Sequence, residues 1–221
     1  MSRAWIAMGS NIQPEIFLPR AVIELSQLGE LLNASSVWLS APVGDPDQAD
    51  FCNAAVLLQT EIPPVRLKQA LRKIEDRLGR RRDPLNKNAA RTIDLDLALM
   101  DEIVLEVPGL ILPDPEIPKR LFLAFPLAEL TPDFVPPPWG KTLRQLAAEC
   151  PADPSFRRSE TIILSPRPVN GPANGPANGP VNGPVNGPVN GPVNGPVNGP
   201  VNGPVNGPVN GPVNGPAAPK M

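Results

Sequence analysis

Over residues 3–150 the apolar positions fall into short blocks whose spacing switches between the two-residue repeat of a strand and the three-to-four-residue repeat of a helix. Residues 3–8 read as a short apolar strand ending in a turn at Gly9-Ser10-Asn11. Residues 14–28 predict a helix: Pro14 suits a first turn, Ile16, Ala21, Leu25 and Leu28 share one face, and Gly29 stops it. Residues 32–39 and 51–60 predict two strands rich in Val, Leu and Ala. They are joined by residues 41–50, too long and too polar for a tight hairpin. A second helix opens at Pro63-Pro64 and runs to Leu78, with Val65, Leu67, Leu71, Ile74 and Leu78 on its apolar face and Gly79 as its stop. A basic loop, 80–91, leads into a strand, 92–100, in which Asp94 and Asp96 point one way while Ile93, Leu95 and Leu97 point the other. Extended residues 103–112, an apolar helical stretch at 121–130 and a helix at 142–149 follow.

The order β-α-β-β-α-β predicts an α+β protein on a ferredoxin-like split βαβ core, with both helices on one face of an antiparallel sheet and extra C-terminal helices. The pattern ends at residue 165. From Asn170 to Pro216 the triplet Asn-Gly-Pro recurs twelve times at a period of four, spaced by Ala or Val. One Val in four residues cannot offset the ordering of a backbone in which each Asn-Gly favours a turn and each Pro removes a donor. The expected organisation is one domain, residues 1–165, followed by a disordered repeat tail, residues 166–221.

Composition sharpens this division. Of the 33 Pro and 18 Gly, 15 and 12 lie in residues 166–221, beside only two charges, Arg167 and Lys220. The remaining charges leave the domain mildly acidic, which gives no reason to expect nonspecific nucleic-acid binding. The chain has no His and no Tyr, so an imidazole base, a Ser-His-Asp triad and a His-ligated zinc are excluded. Chemistry must rest on carboxylates, Lys, Arg or a bound metal. Cys52 and Cys150 are too few for a metal motif and read as reduced core residues of a cytoplasmic protein. No apolar run reaches the roughly 20 residues that span a bilayer, so neither a membrane anchor nor a signal peptide is expected. The absence of a Walker A motif and of a Gly-rich dinucleotide fingerprint argues against a P-loop kinase and a Rossmann dehydrogenase.

The strongest chemical signal is Asp94-Leu95-Asp96. Two carboxylates on one strand face repel each other unless a cation intervenes, and magnesium is the hard cation that uses one or two carboxylates together with substrate phosphates. An isolated Asp-x-Asp is ordinarily a solvated strand face. Here Arg80, Arg81, Arg82, Lys87 and Arg91 lie in the adjoining loop and offer phosphate-binding groups beside the acidic pair, which together suggest Mg-nucleotide chemistry. Glu75, shortly before that loop, reads either as a helix-surface carboxylate paired with Arg72 or Lys73 or as a nucleotide ligand. Phe51 and Asn53 share a strand face, which suits a flat heteroaromatic ring stacked on Phe51 and bonded at its edge by Asn53; the plainer reading is a core Phe and a turn-capping Asn.

Taken in order, Gly9-Ser10-Asn11, Pro42-Val43-Gly44 with Gln48, Phe51 and Asn53, Glu75 with Gly79-Arg80-x-Arg82, and Arg91-Thr92-Ile93-Asp94-Leu95-Asp96 resemble the hydroxymethyldihydropterin pyrophosphokinase family of folate biosynthesis. The likeness continues through Leu112-Pro113, Pro115, Arg120, Phe122 and Pro126-Leu127. It implies an ATP-dependent diphosphotransferase of ferredoxin-like fold that moves pyrophosphate from ATP to the hydroxymethyl group of a reduced pterin and releases AMP. It also implies ATP as co-substrate and two magnesium ions held by Asp94 and Asp96. The pterin ring would lie between Phe51 and Phe122, its edge read by Asn53 and by the backbone of Ser40, Ala41, Pro42 and Val43. Arg72, Glu75, Arg80, Arg82, Arg91, Ile93, Asp114 and Arg120 would serve ATP, and Arg80, Arg82, Arg91 and Asp96 the transfer itself. The implied partners are these small molecules alone, with no nucleic acid or membrane, in a monomer.

One position departs from the resemblance: after Leu112-Pro113 the family usually has a histidine, and this chain has Asp114, which repels a triphosphate unless Lys119 or a metal screens it. Two other readings compete. An RNA-binding module on a ferredoxin-like sheet fits poorly with acidic residues on the strand and no Tyr. A degenerate paralogue that binds pterin or nucleotide with little activity is the alternative that Asp114 suggests.

Overall fold

The computed structural model describes residues 1–44, 47–83, 86 and 88–165; the expected tail, 166–221, and Lys87 of the basic loop lie outside the described residues. Strand β1 (Ser2–Ser10) is followed by α1 (Pro14–Leu25), β2 (Glu30–Ala34), β3 (Trp38–Ser40), β4 (Phe51–Thr60), α2 (Pro64–Arg77) and β5 (Asp94–Met100). In the sheet β1 lies between β5 and β4, and β2 and β3 both run along the other side of β4, every pairing antiparallel. This is the split βαβ core, with its second strand in two pieces.

That break corrects the single strand expected over residues 32–39. Ser35 N–H donates to Ala55 O (2.9 Å), and the Ser35 hydroxyl accepts from Ala55 N–H (2.8 Å). A side-chain oxygen thus stands in for a ladder carbonyl, and the strand kinks there. Two boundaries also move. β1 continues through Gly9 and Ser10, which pair with Asn53 and Cys52, so the turn starts only at Asn11. α1 stops at Leu25, three residues before expectation, where the Ser26 hydroxyl bonds Ile23 O (2.7 Å).

Alternation along the strands sets the two faces of the sheet. Ala4, Ile6 and Met8 with Ala54, Val56 and Leu58 pack under α1 and α2. Trp5, Ala55 and Leu57 pack against α3 (Leu121–Leu130) and α4 (Leu143–Glu149), which therefore cover the opposite face. Thr142 opens α4 in a capping box with Gln145. A bulge in the β1–β5 ladder, where Trp5 faces Leu99 and Ile6 faces Leu97, puts Ala98 and Leu99 together under α3. Asp94 and Asp96 belong to that same face but lie beyond the helix, at its open end.

The remaining chain forms the hairpin β6 (Leu105–Val107) and β7 (Leu110–Leu112), a 3₁₀ turn at Ile117–Lys119, and the short β8 (Arg157–Arg158). β8 pairs with β3, an element the apolar pattern does not predict. Cys52 and Cys150 are free thiols, as expected. No helix among the described residues is long and apolar enough to cross a membrane.

Candidate active site

Where α3 leaves the sheet uncovered there is a cavity of about 320 Å³. Its floor is Gly9 of β1: a β-carbon there would lie 3.6 Å from Asn53 Oδ1 and 3.9 Å from both Phe51 and Asp94, so a larger residue would fill the space. Phe51 and Asn53 of β4, Ser40 and Ala41 at the end of β3, Val43 of the following loop, and Phe122 of α3 form the apolar end. Arg91, Asp94, Asp96, Asp114 and Arg120 form the charged end. A second cavity of about 570 Å³ lies between Lys68 of α2 and the β6–β7 hairpin, and it shares Asp96 and Asp114 with the first.

Asn53 is buried and oriented by its amide nitrogen, which donates to Ser40 Oγ (3.0 Å), Trp38 O (3.3 Å) and Phe51 O (3.3 Å). Among the described residues no hydrogen bond uses its Oδ1. The Arg91 and Arg120 guanidiniums stand over the Phe51 and Phe122 rings, each 5.6 Å from the ring centroid. Asn11 anchors the base of the basic loop: its Oδ1 accepts from Arg91 N–H (2.8 Å) and its Nδ2 donates to Gln48 Oε1 (3.0 Å). Gln48 in turn donates to Asn88 O (2.9 Å), so the two long loops meet over the cavity.

The acidic pair is held by cations. Asp94 bonds Arg80 through one oxygen and Arg91 (2.6 Å) through the other, and Asp96 bonds Lys68. Burial alone would raise the Asp94 carboxyl, but Arg80 and Arg91 hold it below its ordinary value. Burial pushes Asp114 up, and Asp96 and Glu116 add to this, opposed by the Glu116 N–H and by Lys68. Lys119, expected as the screen for Asp114, is 61% exposed and pairs with Glu116 (2.9 Å). Lys68 fills that place instead, and no motif in the sequence marked it.

Several expected site residues stand elsewhere. Pro42 does not line the cavity. The Ile93 side chain is in the hydrophobic core, which leaves only its backbone for a ligand. Arg72 lies over Gly109 at the β6–β7 turn, at the rim of the second cavity. Glu75 is the clearest correction. It is 2% exposed, contacts neither Arg72 nor Lys73, and is bonded by Arg80, by Arg82 and by Leu95 N–H (2.8 Å) on the free edge of β5. Arg80 and Arg82 are therefore brought to the site by a buried carboxylate and do not line either cavity. The sequence did carry a signal for this, since Glu75 follows Leu71 by four residues and so sits in the apolar stripe of α2.

Comparison with known proteins agrees with this geometry. A family model for 7,8-dihydro-6-hydroxymethylpterin-pyrophosphokinase matches residues 5–132. The chain is 36% identical over 154 residues to the 2-amino-4-hydroxy-6-hydroxymethyldihydropteridine pyrophosphokinase of Pseudomonas aeruginosa, covering 68% of this chain and 93% of that one. It is 40% identical over 130 residues to the protein of the same name from Bacillus subtilis, covering 58% of this chain and 77% of that one. Among solved structures, Plasmodium falciparum HPPK-DHPS with pteroate has a TM-score of 0.54 at 12% identity. That likeness covers 67% of this chain and 42% of the longer one and supports the fold alone. With the family model over more than half its length and close relatives over most of theirs, the chain belongs to the hydroxymethyldihydropterin pyrophosphokinase family.

Proposed function

We infer that the first cavity takes the pterin and the second the nucleoside end of ATP, with the triphosphate passing Asp94, Asp96 and Asp114 between them. The chain is a pyrophosphokinase, moving pyrophosphate from ATP to hydroxymethyldihydropterin in folate biosynthesis. The observation that carries the reading is the wall of Asp96 and Asp114 common to both cavities. In-line transfer requires the acceptor hydroxyl and the triphosphate to meet at one place.

Phe51 and Phe122 offer two ring faces to a flat heterocycle. Because the Asn53 amide nitrogen is engaged by Ser40, Trp38 and Phe51, its oxygen is presented as an acceptor, which suits the N–H and amino groups on a pterin edge. The donor set also fits a hard divalent cation: Asp94 and Asp96 share a strand face, and a cation bound there would take the places that Lys68 holds on Asp96 and that Arg80 or Arg91 holds on Asp94. Magnesium bound there would neutralise charge on the triphosphate and on the oxygen leaving as AMP. Arg91 and Arg120 supply guanidinium charge to the phosphate oxygens, and Arg82, 46% exposed but held by buried Glu75 as well as Asp76, reaches them only by exchanging those bonds. Asp96, the more exposed of the pair, accepts the proton of the attacking hydroxyl. Val43, Asn88 and Arg91 wall the cavity from two loops that the Gln48–Asn88 bond links, and this wall would limit the access of water to the transfer.

Asp114 places a negative charge on the path of the triphosphate. Asp114→His is expected to lower the KM for ATP about three- to tenfold; unchanged steady-state constants would contradict this role. The function is tested by incubating the purified chain with MgATP, with and without hydroxymethyldihydropterin, and separating the nucleotides. AMP that appears only with the pterin is expected, whereas pterin binding without AMP favours the degenerate paralogue.

A further inference from the structure

The cavity wall formed by Ser40 and Ala41 is held from outside by a segment well beyond the residues that the family model matches. Ala41 N–H donates to Ser155 Oγ (2.8 Å), and that hydroxyl donates to Asp153 Oδ1 (2.6 Å), which also accepts Ser155 N–H (2.8 Å). Arg157 bonds Asp50 (2.9 Å), the residue before Phe51. Phe156 stacks on Trp38 at 4.9 Å between centroids and 9° between planes, and the Trp38 carbonyl is one of the acceptors that orient Asn53. Ser159 N–H donates to Val37 O (2.8 Å), and β8 completes the outer edge of β3.

These contacts share a direction. Apart from the edge contact of Phe156 with Phe125 of α3, each ends on β3, on Val37 or Ala41 beside it, or on Asp50 just before β4, the backbone that carries Ser40, Ala41, Phe51 and Asn53, and none ends on Asp94, Asp96 or the second cavity. A strand of three residues such as β3 has too few ladder bonds to fix its own end. The engaged Ala41 N–H is also closed to a ligand, so this part of the wall can offer a heterocycle its carbonyls but not that donor.

We propose that residues 153–159 form a positioning strap for the pterin compartment, with Ser155 and Arg157 as its positioning residues: they set the backbone that reads the ring edge and act on the acceptor substrate, not on ATP. The proposal rests on the first cavity being the pterin site. In the full chain, Ser155→Ala is expected to raise the Kd for hydroxymethyldihydropterin, titrated by fluorescence with a saturating non-hydrolysable MgATP analogue present, about three- to tenfold. Arg157→Ala, which removes a more exposed contact, should raise it about two- to fivefold. Ser155→Thr, which keeps the hydroxyl, should restore the wild-type value. The KM for ATP should stay within about twofold in all three, while amide hydrogen exchange of Ser155→Ala rises locally over residues 38–44. An unchanged pterin Kd in Ser155→Ala, or equal weakening of pterin and ATP with exchange raised throughout the sheet, would overturn the proposal. A wild-type chain that binds no pterin, while Ser155→Ala still loosens residues 38–44, would instead remove the cavity assignment and the ligand role of the strap with it.

Discussion

Asp96→Ala is expected to reduce kcat/KM for pterin-dependent AMP release about a thousandfold or more, with the fold intact. Asp96 is 51% exposed on its side chain, and its partner among the described residues is Lys68 at the cavity edge. A contact of that exposure contributes little to stability, on the order of 1 kcal/mol or less. Its chemistry is not replaceable in the same way, because no histidine exists in the chain and the neighbouring carboxylates are less exposed, Asp94 being bonded through both oxygens by Arg80 and Arg91 and Asp114 accepting from Glu116 N–H. Asp94→Ala should abolish turnover as well, but with a structural cost, since it leaves the Arg80 and Arg91 guanidiniums facing each other without their carboxylate. Steady-state kinetics paired with urea unfolding separate the two effects. Activity of Asp96→Ala within tenfold of wild type would show that Asp96 is only a solvated strand residue.

Glu75→Ala is expected to lower the unfolding free energy by about 3–5 kcal/mol, the range for removing one partner from a buried ionic network. The carboxylate is almost fully enclosed and joins three elements: α2, which carries it, the basic loop through Arg80 and Arg82, and the edge of β5 through Leu95 N–H. Its loss leaves a buried N–H without its acceptor and frees Arg80 from one of its two carboxylates. Glu75→Gln keeps an oxygen for Leu95 and should cost less, about 1–3 kcal/mol. Chemical denaturation of both variants checks this. A direct ATP ligand would behave differently: stability within about 1 kcal/mol of wild type, with the loss confined to the KM for ATP.

How much of this was legible depended on the range of the forces involved. β1, α2 and β5 could be read because apolar positions repeat with the period of the element itself, and β4 because, covered on both faces, it carries a continuous apolar run. The run Ala98-Leu99-Met100 after Asp-Leu-Asp-Leu even carried the end of the open face, since the alternation stops where α3 begins to cover it. The kink at Ser35 could not be read, because it depends on one hydroxyl meeting one N–H across the ladder. Nor could Lys68, which is one of several polar residues on α2 until the fold sets it against Asp96. The strap at 153–159 escaped for the same reason: Pro151, Asp153 and Pro154 read as loop, and only Trp38 gives Phe156 its place. The site residues with a motif were found as types, while their partition between direct contact and support, Glu75 above all, belongs to tertiary packing.

The decisive measurement is a phosphorus NMR time course of the purified chain with MgATP and hydroxymethyldihydropterin. AMP and a pterin diphosphate should grow in equal amounts and stop growing when the divalent cation is chelated. ADP with a pterin monophosphate, or AMP with free pyrophosphate and unchanged pterin, would contradict diphosphate transfer at the meeting point of the two cavities.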